Sequence, residues 1–117
     1  MPVDPNLVRD KAIAMADGIL KMTEAERREQ PSELFGQHYN QLIRLVENAY
    51  PGAGLMLPPL VTFNKHREDK LCEQKFSEIL IWTKEIIAYL DHQASKNAQT
   101  VYRAQGEFRG SSHRRRA

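Results

Sequence analysis

Residues 55–63 read Leu-Met-Leu-Pro-Pro-Leu-Val-Thr-Phe, and only Thr62 among them is polar. A bilayer span needs about 20 apolar residues, so this run is far too short to be one. It cannot be the middle of a helix either. Pro59 lacks an N–H, and Pro58 is pushed toward extended geometry by the proline that follows it. Connecting segments normally run over the surface. A greasy, non-helical strap must therefore lie on a core or be covered by a partner.

The segments on either side of the strap carry helical patterns. Asp4 is placed to cap a first helix, with Pro5 at its first position. Val8, Ala12, Met15, Ile19 and Met22 then recur at spacings of three and four. Thr23-Glu24-Ala25-Glu26 has the form of a capping box and predicts a short polar helical turn that Pro31 ends. Ser32 is a candidate cap for a second helix. In it Phe35, Tyr39, Leu42, Ile43, Val46, Ala49 and Tyr50 share one face, while Gln37, Asn40, Gln41, Arg44 and Glu47 take the other. Pro51-Gly52 stops it.

After the strap, Asn64 reads as the cap of a long third helix ending near Gln93. Cys72, Phe76, Ile79, Leu80, Thr83, Ile86, Ile87 and Leu90 form its stripe. That helix offers more apolar surface than two shorter helices readily cover, which points to a second copy or another protein. The expected fold is all-α: a small helical bundle of three main helices plus a short helical turn, with an apolar, Pro-rich strap before the longest helix. The 117 residues suggest one domain. The pattern divides them into a bundle over 1–94 and a basic, flexible tail over 95–117.

Charge follows the same division. Residues 95–117 hold six basic side chains against Glu107 alone, a net +5. The remaining residues hold 11 basic and 14 acidic side chains, a net −3. The start, Met1-Pro2-Val3-Asp4-Pro5, lacks the basic and apolar regions of a signal peptide. Cys72 has no second cysteine to pair with. Both observations lead to an expectation of a cytoplasmic protein with no membrane contact.

The groups that carry chemistry are sparse. Cys72 with His66 is a conceivable nucleophile and base, but six residues place them on different sides of a continuous helix. Cys72 also sits on the apolar stripe, where a structural thiol is the default. His38, His66, His92 and His113 show no metal-ligand spacing. Glu24, Glu26, Glu29, Glu68 and Asp69 lie among Lys and Arg, as on a solvated face. Gly52-Ala53-Gly54 lacks the Gly-Lys-Ser/Thr ending of a phosphate loop and reads as a turn. No catalytic set, metal site or cofactor is expected.

Two features point to binding instead. Trp82 and Tyr89 stand seven residues apart beside the main stripe, and both residue types are enriched in interface hot spots. With Leu55, Met56, Leu57, Pro58 and Pro59 they form the candidate partner surface. The expected function is a non-enzymatic protein–protein interaction module that associates with itself as a homodimer, or with another protein, through the third helix and the strap. The alternative is an RNA- or DNA-associating protein that uses Arg103, Arg109, Arg114, Arg115 and Arg116. An enzyme or metal protein with a site between helices is the remaining reading.

Overall fold

The computed structural model describes residues 3–64 and 71–110, with residues 97–110 as backbone. Four helices follow one another: α1 (Pro5–Leu20), α2 (Glu24–Arg27), α3 (Glu33–Ala49) and α4 (Phe76–Gly110). A 3-10 turn, Ala53–Met56, follows α3. The all-α bundle expected from periodicity is what forms, and the described residues contain no strand.

Local chemistry sets the first three helices. The Asp4 carboxylate accepts from the Asn6 N–H at 3.0 Å, and Pro5 opens α1 where a missing N–H costs nothing. Thr23 and Glu26 close both halves of the capping box, at 3.1 and 2.8 Å. The Arg27 guanidinium reaches back to the carbonyls of Ile19 and Leu20. It thereby adds a donor at the end of α1, where carbonyls lack their full helical partners. Ser32 caps α3 by accepting from the Phe35 N–H.

The long helix begins later than the pattern predicts. Asn64 does not cap it. Leu71–Lys75 is extended or bent backbone, and α4 starts at Phe76. Nothing between Asn64 and Lys75 breaks a helix, so local propensity gives no warning. Tertiary hydrogen bonds override it. The Cys72 N–H donates to the Pro31 carbonyl at 2.9 Å, and the Glu73 N–H donates to the Thr62 carbonyl at 2.9 Å. Once those bonds are made, residues 72 and 73 cannot also be helical. The rest of the predicted span, residues 65–70, lies outside the described residues. At its other end α4 runs on to Gly110, past the expected stop near Gln93. Ala94, Lys96, Ala98, Gln99, Arg103 and Ala104 are good helix formers and no proline interrupts them.

The core is one cluster in which Val8, Ala12, Ile19, Tyr39, Val46, Ile79, Ile86 and Leu90 are buried. Three ring pairs join α3 to α4: Phe35 with Phe76, Tyr39 with Trp82 and Tyr50 with Tyr89. The pairs ascend together along both helices, so α3 and α4 run parallel. The start of α4 lies beside Glu29, shortly after α1 ends, and Asp91 further along pairs with Arg9 near the start of α1, so α1 runs antiparallel to α4. Two consecutive parallel helices need a connection that travels back along the bundle. The strap is that connection. It passes Tyr39 at Pro59 and Asn40 at Val61, and reaches Gly36 at Phe63, descending α3 toward its start. It occupies the place a fourth helix takes in an up-down bundle.

Candidate interaction surface

The strap is pinned to α3 by polar groups that the apolar pattern hides. Asn40 is 8% exposed. Its Oδ1 accepts from the Val61 N–H at 2.8 Å, and its Nδ2 donates to the Val61 carbonyl at 3.2 Å. One amide side chain thus satisfies both backbone groups of a buried residue, as a neighbouring strand would. The Tyr39 hydroxyl donates to the Pro59 carbonyl at 3.1 Å. Burial, with Glu85 nearby, holds that phenol well above its ordinary pKa. Beyond Val61, Phe63 and Cys72 form an antiparallel bridge. Gln74 closes it by bonding the Thr62 N–H and hydroxyl at 2.9 and 3.0 Å.

Gly36 makes this docking possible. A Cβ there would stand 2.5 Å from the Cys72 Sγ and 2.7 Å from the Phe63 ring. The strap and the Cys72 segment therefore lie directly on the α3 backbone. Cys72 is not on the helical stripe where its spacing placed it. It is fully buried in the bridge, and its thiol donates to the Ser32 carbonyl at 3.3 Å. Burial pushes the thiol pKa up, which disfavours the thiolate that nucleophilic chemistry needs.

The fixed strap divides its apolar residues between two environments. Pro58 and Val61 turn into the core, and Leu57 and Phe63 are half-buried. Leu55 is 98% exposed and Met56 73%, and Pro59 is exposed too. Leu55 and Met56 sit on the 3-10 turn between the buried anchors Ala53 and Pro58. Gly52, at φ +93°, sets the direction of that turn. Among the described residues, the greasy tip is therefore held out by structure on both sides.

The other candidate residues are placed differently. Trp82 and Tyr89 both face α3, half-buried, with ring partners at 6.1 Å in Tyr39 and Tyr50. Much of each ring is spent inside the chain. Arg103 and Arg109 fall on the α4 backbone. His66, Glu68, Asp69 and His113 lie outside the described residues, as do Arg114, Arg115 and Arg116. Among the described residues, no group of three or more His, Cys, Asp or Glu could hold a metal ion. No helix among them is long and apolar enough to cross a membrane.

Sequence reasoning missed Asn40 and Gly36. They stand four residues apart on one edge of the apolar face of α3, and Ile43 continues that row. A small residue and an amide beside an apolar stripe is the available signal. No family model matches the chain, and no curated protein or solved structure matches it.

Proposed function

We propose that this chain is a non-enzymatic interaction module that associates with itself through the Leu55–Met56 tip and the projecting part of α4. The observation that carries the reading is the rigid exposure of two adjacent large apolar side chains. Single exposed apolar residues are ordinary. Here Leu55 and Met56 are kept in water by buried anchors on both sides, although the strap has apolar sites beneath it.

The shape of α4 supports the same reading. Its 35 residues make about 52 Å of helix, against about 24 Å for the 16 residues of α1. Leu90 is the last residue of α4 in the buried core among the described residues, and Ala94, Ser95 and Lys96 are exposed. The parallel run of α3 and α4 puts the Leu55–Met56 turn at the end from which α4 emerges. Two copies have both elements to offer each other there, in the self-complementary manner of a two-fold dimer.

Light scattering on a size-exclusion column tests this with the whole chain and with Leu55→Asp/Met56→Asp. The expected result is a dimer that the double substitution converts to a folded monomer. A parent chain that is monomeric at every concentration, or a variant that remains dimeric, overturns the reading.

The charge division favours one second reading, nucleic-acid association through the tail. Lys96, Arg103 and Arg109 lie along the part of α4 that leaves a bundle of opposite net charge. A labelled single-stranded RNA should then bind at low salt, release as salt rises, and fail to bind a chain lacking residues 95–117. Equal binding by the truncated chain removes the tail from consideration.

A further inference from the structure

A second surface, away from the Leu55–Met56 tip, lies along α3. An open groove of about 480 Å³ runs between α1 and α3. Met15, Phe35, Leu42 and Leu45 give it an apolar floor, and Gly18 leaves one wall bare, with nothing within 4 Å of where its Cβ would stand. A second depression of about 510 Å³ flanks the same helix on the strap side, lined by Leu34, Arg44 and Phe63. His38 and Gln41 form the ridge shared by both.

The lining has two properties that select an occupant. It is straight: Lys11, Ala14 and Gly18 on α1, and His38, Gln41 and Leu45 on α3, stand at intervals of three and four. From Phe35 to Leu45 the α3 wall is about 15 Å long, which accommodates roughly ten residues of a helix. Among the described residues the lining also holds no acid. Neither depression is lined there by Asp or Glu, and α3 has none between Glu33 and Glu47, while Asp10 and Asp17 of α1 are neighbours in sequence of the lining residues Lys11 and Gly18 but not part of the lining. Asn40, in the second lining, is buried and spent on Val61, and Gln37 is a neutral amide at its edge. The groups left to meet a ligand are Lys11, His38, Gln41 and Arg44. All four are exposed, and none forms a hydrogen bond or ion pair among the described residues.

We propose that this face docks an acidic amphipathic α-helix of a partner protein, with its apolar side chains in the α1–α3 groove and its carboxylates beside Lys11, His38 and Arg44. Charge complementarity decides the occupant. The last turns of α4 in a second copy carry Lys96, Arg103 and Arg109 against Glu107 and would bring net positive charge to the same cations. A rod with carboxylates along its flanks gains both the apolar floor and unpaired cations. The proposal shares with the self-association reading the premise of a binding module, and uses a different surface.

The test is fluorescence anisotropy at low salt with a synthetic fluorescein-labelled helix of about three turns. It carries leucines at i, i+4 and i+7 and glutamates on both flanks, and is compared with a matched peptide in which lysines replace the glutamates. The acidic peptide should bind saturably, and the basic one roughly tenfold or more weaker. Gly18→Leu, which fills the groove, and Lys11→Glu/Arg44→Glu, which inverts its rim, should each weaken the acidic peptide by about tenfold or more. Leu55→Asp/Met56→Asp should leave it unchanged, which separates this surface from the self-association tip. The proposal is overturned by absence of saturable binding, by equal binding of the two peptides, or by variants that bind like the parent while circular dichroism shows them folded. It is equally overturned if the tip variant abolishes the binding.

Discussion

Replacing Asn40 with Ala should cost far more than an ordinary change on the flank of a helix. The substitution removes two hydrogen bonds at once, both to Val61. A net hydrogen bond contributes about 1 kcal/mol, and a buried group left without a partner costs about 1–3 kcal/mol. Val61 is 3% exposed, so water reaches its N–H and C=O poorly while the strap stays docked. Ala gains slightly in helix propensity, about half a kcal/mol. The net expectation is a loss of about 2–4 kcal/mol, a large share of the roughly 5–15 kcal/mol that holds a small domain folded. Asn40→Asp separates the two bonds. It keeps an acceptor for the Val61 N–H but turns an oxygen toward the Val61 carbonyl, so it should be destabilising at neutral pH and partly relieved as acid protonates it. Urea unfolding followed by Trp82 fluorescence measures both variants, because Trp82 packs on Tyr39 beside the strap. Hydrogen exchange at the Val61 amide measures the clasp itself. If Asn40→Ala costs less than about 0.5 kcal/mol and leaves that amide protected, the clasp does not hold the strap and the reasoning fails.

Three further outcomes follow from the same contacts. Gly36→Ala gains about 1 kcal/mol of helix propensity but drives a Cβ into the Cys72 Sγ and the Phe63 ring, which typically costs about 1–3 kcal/mol. A net loss in thermal unfolding, partly recovered by adding Cys72→Ala, is expected, and a more stable single variant would contradict the close approach. Tyr39→Phe should lose about 1 kcal/mol with the bond to Pro59. It should also flatten the alkaline limb of the stability curve. The folded phenol titrates above its unfolded value of 10.0, so its contribution is whole below that pH and fades as the pH climbs from there. Parallel alkaline limbs in the two proteins would refute the assignment. The hydrogen bonds from Thr23 hold the Glu26 carboxyl below its ordinary pKa. Its contribution is therefore present above the unfolded value and is lost as pH falls through the folded one. Glu26→Gln should show a shallower acid limb in the same measurement.

Features decided by neighbours in sequence were legible. The Asp4 cap, the Thr23–Glu26 box, the Ser32 cap and the face of α3 are each written within one or two turns of chain. The start of α4 was not. Glu78 accepts from the Lys75 N–H at 3.1 Å, half of a capping box, but Lys75 has no side-chain acceptor for the other half. The visible box pattern is therefore absent where the helix begins. Cys72 joins the spacing of Phe76 and Ile79 by coincidence of register. Its backbone is held by Pro31, whose distance in sequence no periodicity reports. Asn40 was read as a polar-face residue because an amide carries no sign of being buried. Its partner lies 21 positions away on the strap. The candidate surface was half legible. The apolar run of the strap is visible in the sequence, while the division between Val61 inside and Leu55 outside depends on which backbone groups Asn40 and Tyr39 seize.

That division ties the fold to the proposed activity. An extended connection has no hydrogen bonds of its own, so without help it would dissolve into solvent or slide along the bundle. Asn40 removes the second freedom by fixing Val61 in register, and Gly36 removes the first by letting Phe63 and Cys72 lie on the α3 backbone. Fixing Val61 inside leaves only a short run back to Gly52, and Pro58 and Ala53 take the inward positions within it. Leu55 and Met56 are left outward by elimination. A slip of the strap by one residue would exchange inward and outward side chains, burying part of the tip and exposing Val61. The residues that make the bundle foldable with a strap in place of a fourth helix are thus the same ones that keep its apolar tip in water. Loosening the Asn40 clasp should therefore weaken self-association together with stability, whereas Leu55→Asp/Met56→Asp should weaken self-association alone.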